Sequence, residues 1–148
     1  MEIRRISEGK GTFLPLLLLG DEQENMVMRY LDRGNLYALY DAGRLRTVAV
    51  VTDEGDGVFE LKNLATEPGS QGRGYGRTMV EHVVKSCRGR GRRLLVGTGD
   101  SPLTLPFYRS CGFRESHRVK NFFTTHYDHP IFEAGRQLVD MVYLAMEL

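Results

Sequence analysis

A glycine-rich turn, Gln71-Gly72-Arg73-Gly74-Tyr75-Gly76-Arg77, separates a strand-like run that ends near Thr66 from a helical pattern that begins near Gly74. The helix is indicated by a stripe of apolar residues at Met79, Val80, Val83, Val84 and Cys87. A helix start exposes unpaired backbone N–H groups, and glycines let an anion approach them without side-chain collision. The turn therefore predicts an anion-binding site; the alternative is that its glycines only make the chain turn tightly.

Three strand-like runs precede this turn, at residues 36–40, 44–52 and 58–66, and turn-rich segments separate them. That order is typical of an antiparallel meander. A weakly alternating strand is expected at residues 1–7. Asp21 followed by Glu24 predicts a capped amphipathic helix at about residues 22–33.

After the helix, residues 94–98 form a short apolar run, as expected of a strand covered on both faces. Another helix should begin at Ser101 or Thr104 and end at Cys111, with Pro106 in its first turn. Strands are predicted at 113–120 and 138–148. The segment between them, residues 121–136, is too long for a simple hairpin turn and is interpreted as a recognition loop.

Composition favours one folded domain, residues 1–148, with 41% hydrophobic and 26% charged residues. The longest apolar stretch, residues 13–19, contains Pro15 and is too short to cross a membrane. The start of the chain does not resemble a secretory signal, so a cytoplasmic location is predicted. Cys87 and Cys111 form no CxxC motif and are expected to be free thiols.

The formal net charge is only +1, which argues against bulk polyanion binding. Residues 71–93 nevertheless carry seven basic side chains and one acidic side chain, so an anionic partner is expected there. The turn does not have the dinucleotide-binding spacing G-x-G-x-x-G, and it lacks the Gly-Lys-Ser/Thr of a Walker A loop.

Two motifs together resemble the GNAT superfamily of acetyl-CoA-dependent N-acetyltransferases. They are Gln71-x-x-Gly74-x-Gly76 after the strand at 60–66, and Phe107-Tyr108-Arg109-Ser110-Cys111-Gly112-Phe113. The resemblance implies an α/β (α+β) fold with a mixed, mostly antiparallel sheet of six to seven strands, flanked by about four helices. It also implies that the sheet is splayed between its fourth and fifth strands.

By the same resemblance, the pantetheine arm of acetyl-CoA lies in that gap and the pyrophosphate sits on the amides of the turn. Asp100-Ser101-Pro102 stands where the family often has an asparagine, so that contact is either made by the Ser101 hydroxyl or absent. No metal is implied. The expected cofactor-binding residues are Leu64, Ala65, Thr66, Gln71, Gly72, Arg73, Gly74, Tyr75, Gly76, Arg77 and Ser101.

The resemblance also implies catalytic roles. Tyr108 matches the tyrosine that protonates the departing CoA thiolate; the alternative is an aromatic side chain packed on the sheet. Glu60 is the candidate base for the amine, or else a salt-bridged or solvent-facing carboxylate. A backbone amide near a bulge at residues 63–65 would polarise the carbonyl. Asn63 is either a substrate ligand or a residue of that bulge.

The acceptor is expected to be a primary amine of a small molecule or peptide, which is acetylated directly in a ternary complex. Its site should lie between residues 11–25 and 121–136. His126-x-x-His129 invites a metal site, but Pro130 favours a loop there. The apolar final strand leaves open a homodimer. Candidate pocket residues in 121–136 are Phe122, Phe123, His126, Tyr127, Asp128, His129 and Phe132.

Two other functions compete with the enzyme. A nucleic-acid-binding module would explain the basic stretch 88–93, but that cluster is compact and lacks interleaved aromatic residues. A noncatalytic CoA-binding or sensing domain would keep the glycine turn and dispense with Glu60 and Tyr108. The sequence therefore favours an N-acetyltransferase with no nucleic-acid or membrane partner.

Overall fold

A seven-stranded sheet forms the centre of the computed structural model, which describes residues 1–148. A separate hairpin consists of β7 (Phe132–Glu133) and β8 (Arg136–Gln137). The strands of the main sheet are β1 (Glu2–Ile6), β2 (Asn35–Asp41), β3 (Arg44–Gly55), β4 (Val58–Thr66), β5 (Arg93–Gly99), β6 (Arg114–Val119) and β9 (Met141–Glu147). Their spatial order is β1-β2-β3-β4-β5-β9-β6, and every neighbouring pair is antiparallel except β4 and β5.

Helices cover both faces of this sheet. They are α1 (Leu14–Gly20), α2 (Glu24–Val27), α3 (Tyr75–Cys87), α4 (Leu105–Ser110) and α5 (Phe122–His126), with 3-10 turns at Lys10–Phe13 and Pro68–Ser70. Alternation along β2 divides the core, because Tyr37 and Leu39 pack towards α3 and α4 whereas Leu36 and Ala38 pack towards α1 and α2.

The sheet opens between β4 and β5. Their parallel pairing runs only from Val58 opposite Arg93 to Leu61 opposite Val96, and beyond that point each strand bonds only to its other neighbour. The register of β4 against β3 shifts at the same place, since Leu61 faces Val51 and Asn63 faces Val50. Lys62 is thus the extra residue of a β-bulge, which bends β4 away from β5.

The structure confirms the predicted fold: a mostly antiparallel sheet that is splayed between its fourth and fifth strands. The predicted helix at 22–33 is wrong. Pro15 does not interrupt an apolar stretch but occupies the first turn of α1, where proline is tolerated. Asp21 caps no helix start. It follows α1. The N-cap residue of α2 is Gln23, and α2 covers only Glu24–Val27.

Two further expectations need correction. The segment 121–136 is not a plain loop, since it contains α5 and the β7–β8 hairpin. The final strand β9 is not a free edge, because it is hydrogen-bonded to β5 on one side and β6 on the other. Its apolar composition is explained by that internal position, so it cannot add a second copy by strand pairing.

Cys87 and Cys111 are free thiols, as expected. No helix of the protein has both the length and the apolar character that a membrane span requires.

Candidate active site

A run of six backbone N–H groups at residues 72–77 makes no hydrogen bond within the protein. Gly74 precedes α3 with a φ of 84°, and Gly72 has a φ of 79°, both in the left-handed region that favours glycine. The six amides therefore gather where the positive end of the helix dipole lies. This geometry suits a phosphate group, at the place that the sequence predicted.

The side chains around these amides differ in their availability. The buried Tyr75 donates its hydroxyl hydrogen to Asp41, with 2.6 Å between the oxygens. The guanidinium of Arg77 donates to the carbonyl and hydroxyl oxygens of Ser110, at 3.1 and 2.6 Å, and so ties α3 to α4. Both residues therefore offer the site their amides. Arg73 is exposed and forms no ion pair, so its charge remains available to an anion.

Two other predicted cofactor residues serve the local backbone. The side-chain amide of Gln71 donates to the carbonyl of Thr66 at 3.4 Å. Ser101 is buried, and its hydroxyl accepts the Leu103 amide at 3.1 Å. The hydroxyl stabilises the turn before α4 and keeps its own hydrogen to donate, so its contact with the cofactor stays a prediction.

A cavity of about 270 Å³ lies where β4 and β5 diverge. Leu64 lines it from β4, whereas Ala65 packs on the opposite face with α1 and Thr66 bonds its hydroxyl to Thr47 at 2.9 Å. A Cβ built on Gly76 would lie only 3.8 Å from the Thr66 hydroxyl, so the glycine turn adjoins the end of β4. The anion site and the cavity are thus neighbours along one strand.

Tyr108 on α4 lines this cavity and is 8% exposed. Its ring is held edge-on by Phe107 and Phe113, with centroids 5.1 and 5.8 Å away. Its hydroxyl forms no hydrogen bond with the protein, and it is not among the fully buried unpaired atoms, so it remains accessible from the cavity. Burial raises the pKa of Tyr108, so the phenol stays protonated at neutral pH.

Glu60 on β4 is also 8% exposed, and its carboxylate pairs with the ammonium of Lys62 at 3.1 Å. Burial raises the pKa of Glu60, and Lys62 opposes that rise. Glu60 lines a second cavity, of about 150 Å³, and not the first one. The two cavities share Asp21, Lys62, Gly97, Tyr127 and Met141 as lining residues, so they meet at the bulge.

Asn63 lines the first cavity, its buried side-chain oxygen Oδ1 has no hydrogen-bond partner, and its role as a substrate ligand stays a prediction. Its side-chain amide donates to the carbonyl of Leu17 at 2.9 Å and to the Tyr30 hydroxyl at 3.1 Å, which anchors α1 on β4. The bulge itself lies at Lys62, one residue before the predicted segment 63–65. The register of β4 against β3 shifts at the point where β4 stops pairing with β5.

Asp21 is the site residue that sequence reasoning missed. Its Oδ1 accepts the hydroxyl of Tyr127 at 2.6 Å, and its Oδ2 accepts the hydroxyl of Tyr30 at 3.1 Å. Burial raises the pKa of Asp21, and the two phenol hydrogen bonds oppose that rise. The sequence offered one signal: a helix that starts at Pro15 would end at Asp21, beside the predicted acceptor region.

The segment 121–136 contributes to both cavities. Phe123, Tyr127 and Phe132 line the first cavity, and Phe122 with Tyr127 lines the second. The two histidines do not converge. His126 is the last residue of α5, whereas the exposed His129 contacts the carboxylates of Asp128 and Glu22.

Comparison with known proteins agrees with this geometry. Residues 32–115 match the family model described as the acetyltransferase (GNAT) domain. The N-acetyltransferase YvbK of Bacillus subtilis (strain 168) is 34% identical over 153 residues, which cover 100% of this chain and 99% of the relative.

Solved structures agree as well. The IAA acetyltransferase from Bacillus cereus ATCC 14579 is 35% identical, with a TM-score of 0.92 over 99% of both chains. A GNAT family acetyltransferase from Elizabethkingia anophelis, solved with acetyl-CoA bound, is 31% identical, with a TM-score of 0.94 over 99% of this chain and 97% of that chain.

Fold and site together define an acyl-transfer enzyme. Its sheet is splayed, and a candidate anion site lies at the N-terminus of a helix. The chain belongs to the GNAT family of acetyl-CoA-dependent N-acetyltransferases.

Proposed function

We propose that this protein transfers the acetyl group of acetyl-CoA directly to a primary amine of a small molecule or peptide, within a ternary complex. The observation that carries the proposal is the run of unpaired amides at residues 72–77 beside the opening of the sheet. The amides suit the diphosphate of acetyl-CoA. The unpaired edges of β4 and β5 beyond Leu61 and Val96 suit the amide groups of its pantetheine arm.

The acetyl group would then lie between Tyr108 and the bulge at Lys62. An alkylamine with a pKa of about 10.4 costs about 4 to 5 kcal/mol to deprotonate at neutral pH. Glu60 takes that proton, directly or through water, because a carboxylate with a raised pKa is a better base at neutral pH.

The neutral amine attacks the thioester carbon, and a backbone amide at the bulge stabilises the oxyanion that forms. The carbon–sulfur bond then breaks, and the Tyr108 hydroxyl gives its proton to the departing thiolate. The nitrogen, which became positively charged on attack, releases its second proton to solvent. Solvent also returns a proton to Tyr108 and removes the proton from Glu60. The products are the acetamide and CoA.

Two observations favour this function over its competitors. A noncatalytic CoA-binding domain has no use for a buried phenol whose hydroxyl faces the cavity unpaired. The basic stretch is not a free nucleic-acid surface, because three of its arginines are engaged within the protein: Arg90 with Phe59, Arg92 with Asp56, and Arg93 with Glu147. We also place the protein in the cytoplasm as a single domain of residues 1–148, with its free thiols in support.

Titration calorimetry with acetyl-CoA, followed by incubation with labelled acetyl-CoA and an amine library, tests the proposal. We expect binding, and label transfer to at least one primary amine. Binding of acetyl-CoA without transfer to any amine would favour the noncatalytic domain. An absence of binding by folded protein would refute the assignment of the amides at residues 72–77.

A further inference from the structure

We infer that Asp21 binds the ammonium group of the acceptor, which is therefore a cationic amine carried on an apolar body. The inference rests on the proposed acetyl transfer and names the class of substrate that it serves. Asp21 would hold the amine at the junction of the two cavities, between the groups that we assign as acid and base.

The Asp21 carboxylate lacks a counter-ion. Asp21 takes part in no ion pair within the protein, whereas Glu60 pairs with Lys62 and Glu22 contacts His129. The acidic Glu22 is a charged neighbour that raises the pKa of Asp21 further, and it is unfavourable to the carboxylate. A half-buried carboxylate gains from a cationic partner, because burying a charge alone is costly. An acceptor ammonium would supply that partner.

The Asp21 carboxylate has hydrogen-bonding capacity left over. Tyr127 donates to one oxygen and Tyr30 to the other, and the backbone amide of Gln23 also stabilises the charged form, so three groups use at most three of about four acceptor positions. The two phenols also hold the carboxylate in one orientation. An ammonium group, with three donors, can therefore be bound at a defined position without displacing either tyrosine.

Asp21 also has a favourable location. It lines the first cavity together with Tyr108, and it lines the second cavity together with Glu60. Neither arginine at the second cavity forms an ion pair with it, since Arg33 is held by Glu54 at 2.9 Å and Arg29 is exposed. An amine at Asp21 thus has the base on one side and the cleft for the thioester on the other.

The walls of the two cavities are rich in aromatic rings, which suits an apolar substrate body and adds a cation–π attraction for an ammonium. Besides Tyr108, the rings that line one or both cavities are Tyr30, Phe122, Phe123, Tyr127, Phe132 and Tyr143.

Two probes of equal shape test the inference: 2-phenylethylamine, which is cationic at neutral pH, and the neutral 2-phenylethanol. Calorimetric titrations measure the Kd of each probe with the full chain, with and without CoA. We expect the wild-type protein to prefer the amine by at least about tenfold, and Asp21→Asn to weaken amine binding by at least about tenfold, as for a lost charge-assisted hydrogen bond. The Kd of the alcohol should stay within about twofold.

Glu22→Gln is the matched control, since it removes the adjacent exposed carboxylate and should leave both Kd values unchanged. Asp21→Glu keeps the charge and should retain the preference for the amine. A thermal melt by circular dichroism verifies that each variant is folded. Should Asp21→Asn not fold, the preference of the wild-type protein for the amine and its retention in Asp21→Glu decide the matter.

Equal affinity of the wild-type protein for both probes, or equal weakening of both in Asp21→Asn, would overturn the inference. These readouts are binding constants, so they are independent of turnover. A protein that shows the Asp21 effect and yet acetylates no amine would refute the proposed function and not the ammonium site.

Discussion

Burial displaces the pKa of the residues to which we assign the chemistry, and each displacement suits a different role. Tyr108 keeps its proton because its pKa is raised in an apolar setting, and its unpaired hydroxyl can give that proton to a thiolate. Glu60 is equally buried, but Lys62 partly offsets the rise of its pKa. One residue is thereby kept as a donor and the other as an acceptor of protons.

Tyr108→Phe should lower turnover by at least about tenfold, because the thiolate loses its proton donor, and should leave the Kd of acetyl-CoA nearly unchanged. Steady-state kinetics and calorimetry measure the two quantities. Tyr37→Phe removes another buried phenol, one that lines neither cavity, and serves as the control. Wild-type turnover in Tyr108→Phe would exclude this tyrosine from the mechanism.

Lys62→Met should move the acidic limb of the pH profile of kcat/KM to higher pH. The Lys62 ammonium lowers the pKa of Glu60, so its removal raises that pKa, and the carboxylate then becomes ionised only at higher pH. Glu60→Gln should abolish the limb. An identical limb in the wild type and in both variants would show that another group is the base.

The anion site that we propose at the start of α3 belongs to the helix as an element, because backbone amides and not a single side chain would form it. Gly72 and Gly74 adopt left-handed conformations, the amides of residues 72–77 are left unpaired, and α3 adds its dipole. Nothing lies within 4 Å of a Cβ built on Gly74, so only backbone conformation resists substitution there.

Gly74→Ala should lower the free energy of unfolding by about 1 kcal/mol and weaken acetyl-CoA binding severalfold, because strain moves the amides out of position. Gly89→Ala is a close control: its φ is 81°, its Cβ would also meet nothing within 4 Å, and it follows the other end of α3. Chemical denaturation should show similar losses for both variants. Equal acetyl-CoA affinity in the two variants would contradict the role of the turn.

At the scale of the whole molecule, a nearly neutral protein concentrates positive charge beside one site. The net charge of +1 gives little long-range attraction, so the exposed Arg73 and the α3 dipole provide the local field. Binding of the polyanionic acetyl-CoA should therefore depend on salt more than binding of a neutral fragment does.

The Kd of acetyl-CoA should rise with ionic strength, and that of pantetheine should change little, because only the former carries phosphates. Arg73→Ala should reduce the dependence on salt. Arg5→Ala removes an exposed arginine on β1, far along the sheet, and should leave the dependence unchanged. Equal slopes for all three proteins would show that Arg73 does not contact the phosphates.

Patterns within a few residues of each other made most of the fold predictable. The alternation of β2 to β4, the apolar stripe of α3 and the glycines at 72, 74 and 76 are local signals, and the structure confirms the elements they indicate. Helix α1 was not predicted, because Pro15 was interpreted as an interruption of an apolar stretch. In the structure it lies in the first turn of the helix.

The sequence by itself determined the strand order up to the glycine turn, the helix start that leaves its amides unpaired and the family motif around Tyr108, because backbone conformation depends on neighbouring residues. Only tertiary structure decided that Lys62 forms the bulge and that Asp21 lies between Tyr30 and Tyr127. Asp21 and Tyr127 are 106 positions apart. No local periodicity spans such a distance; their contact exists because α1 and the segment 121–136 pack over the same opening of the sheet.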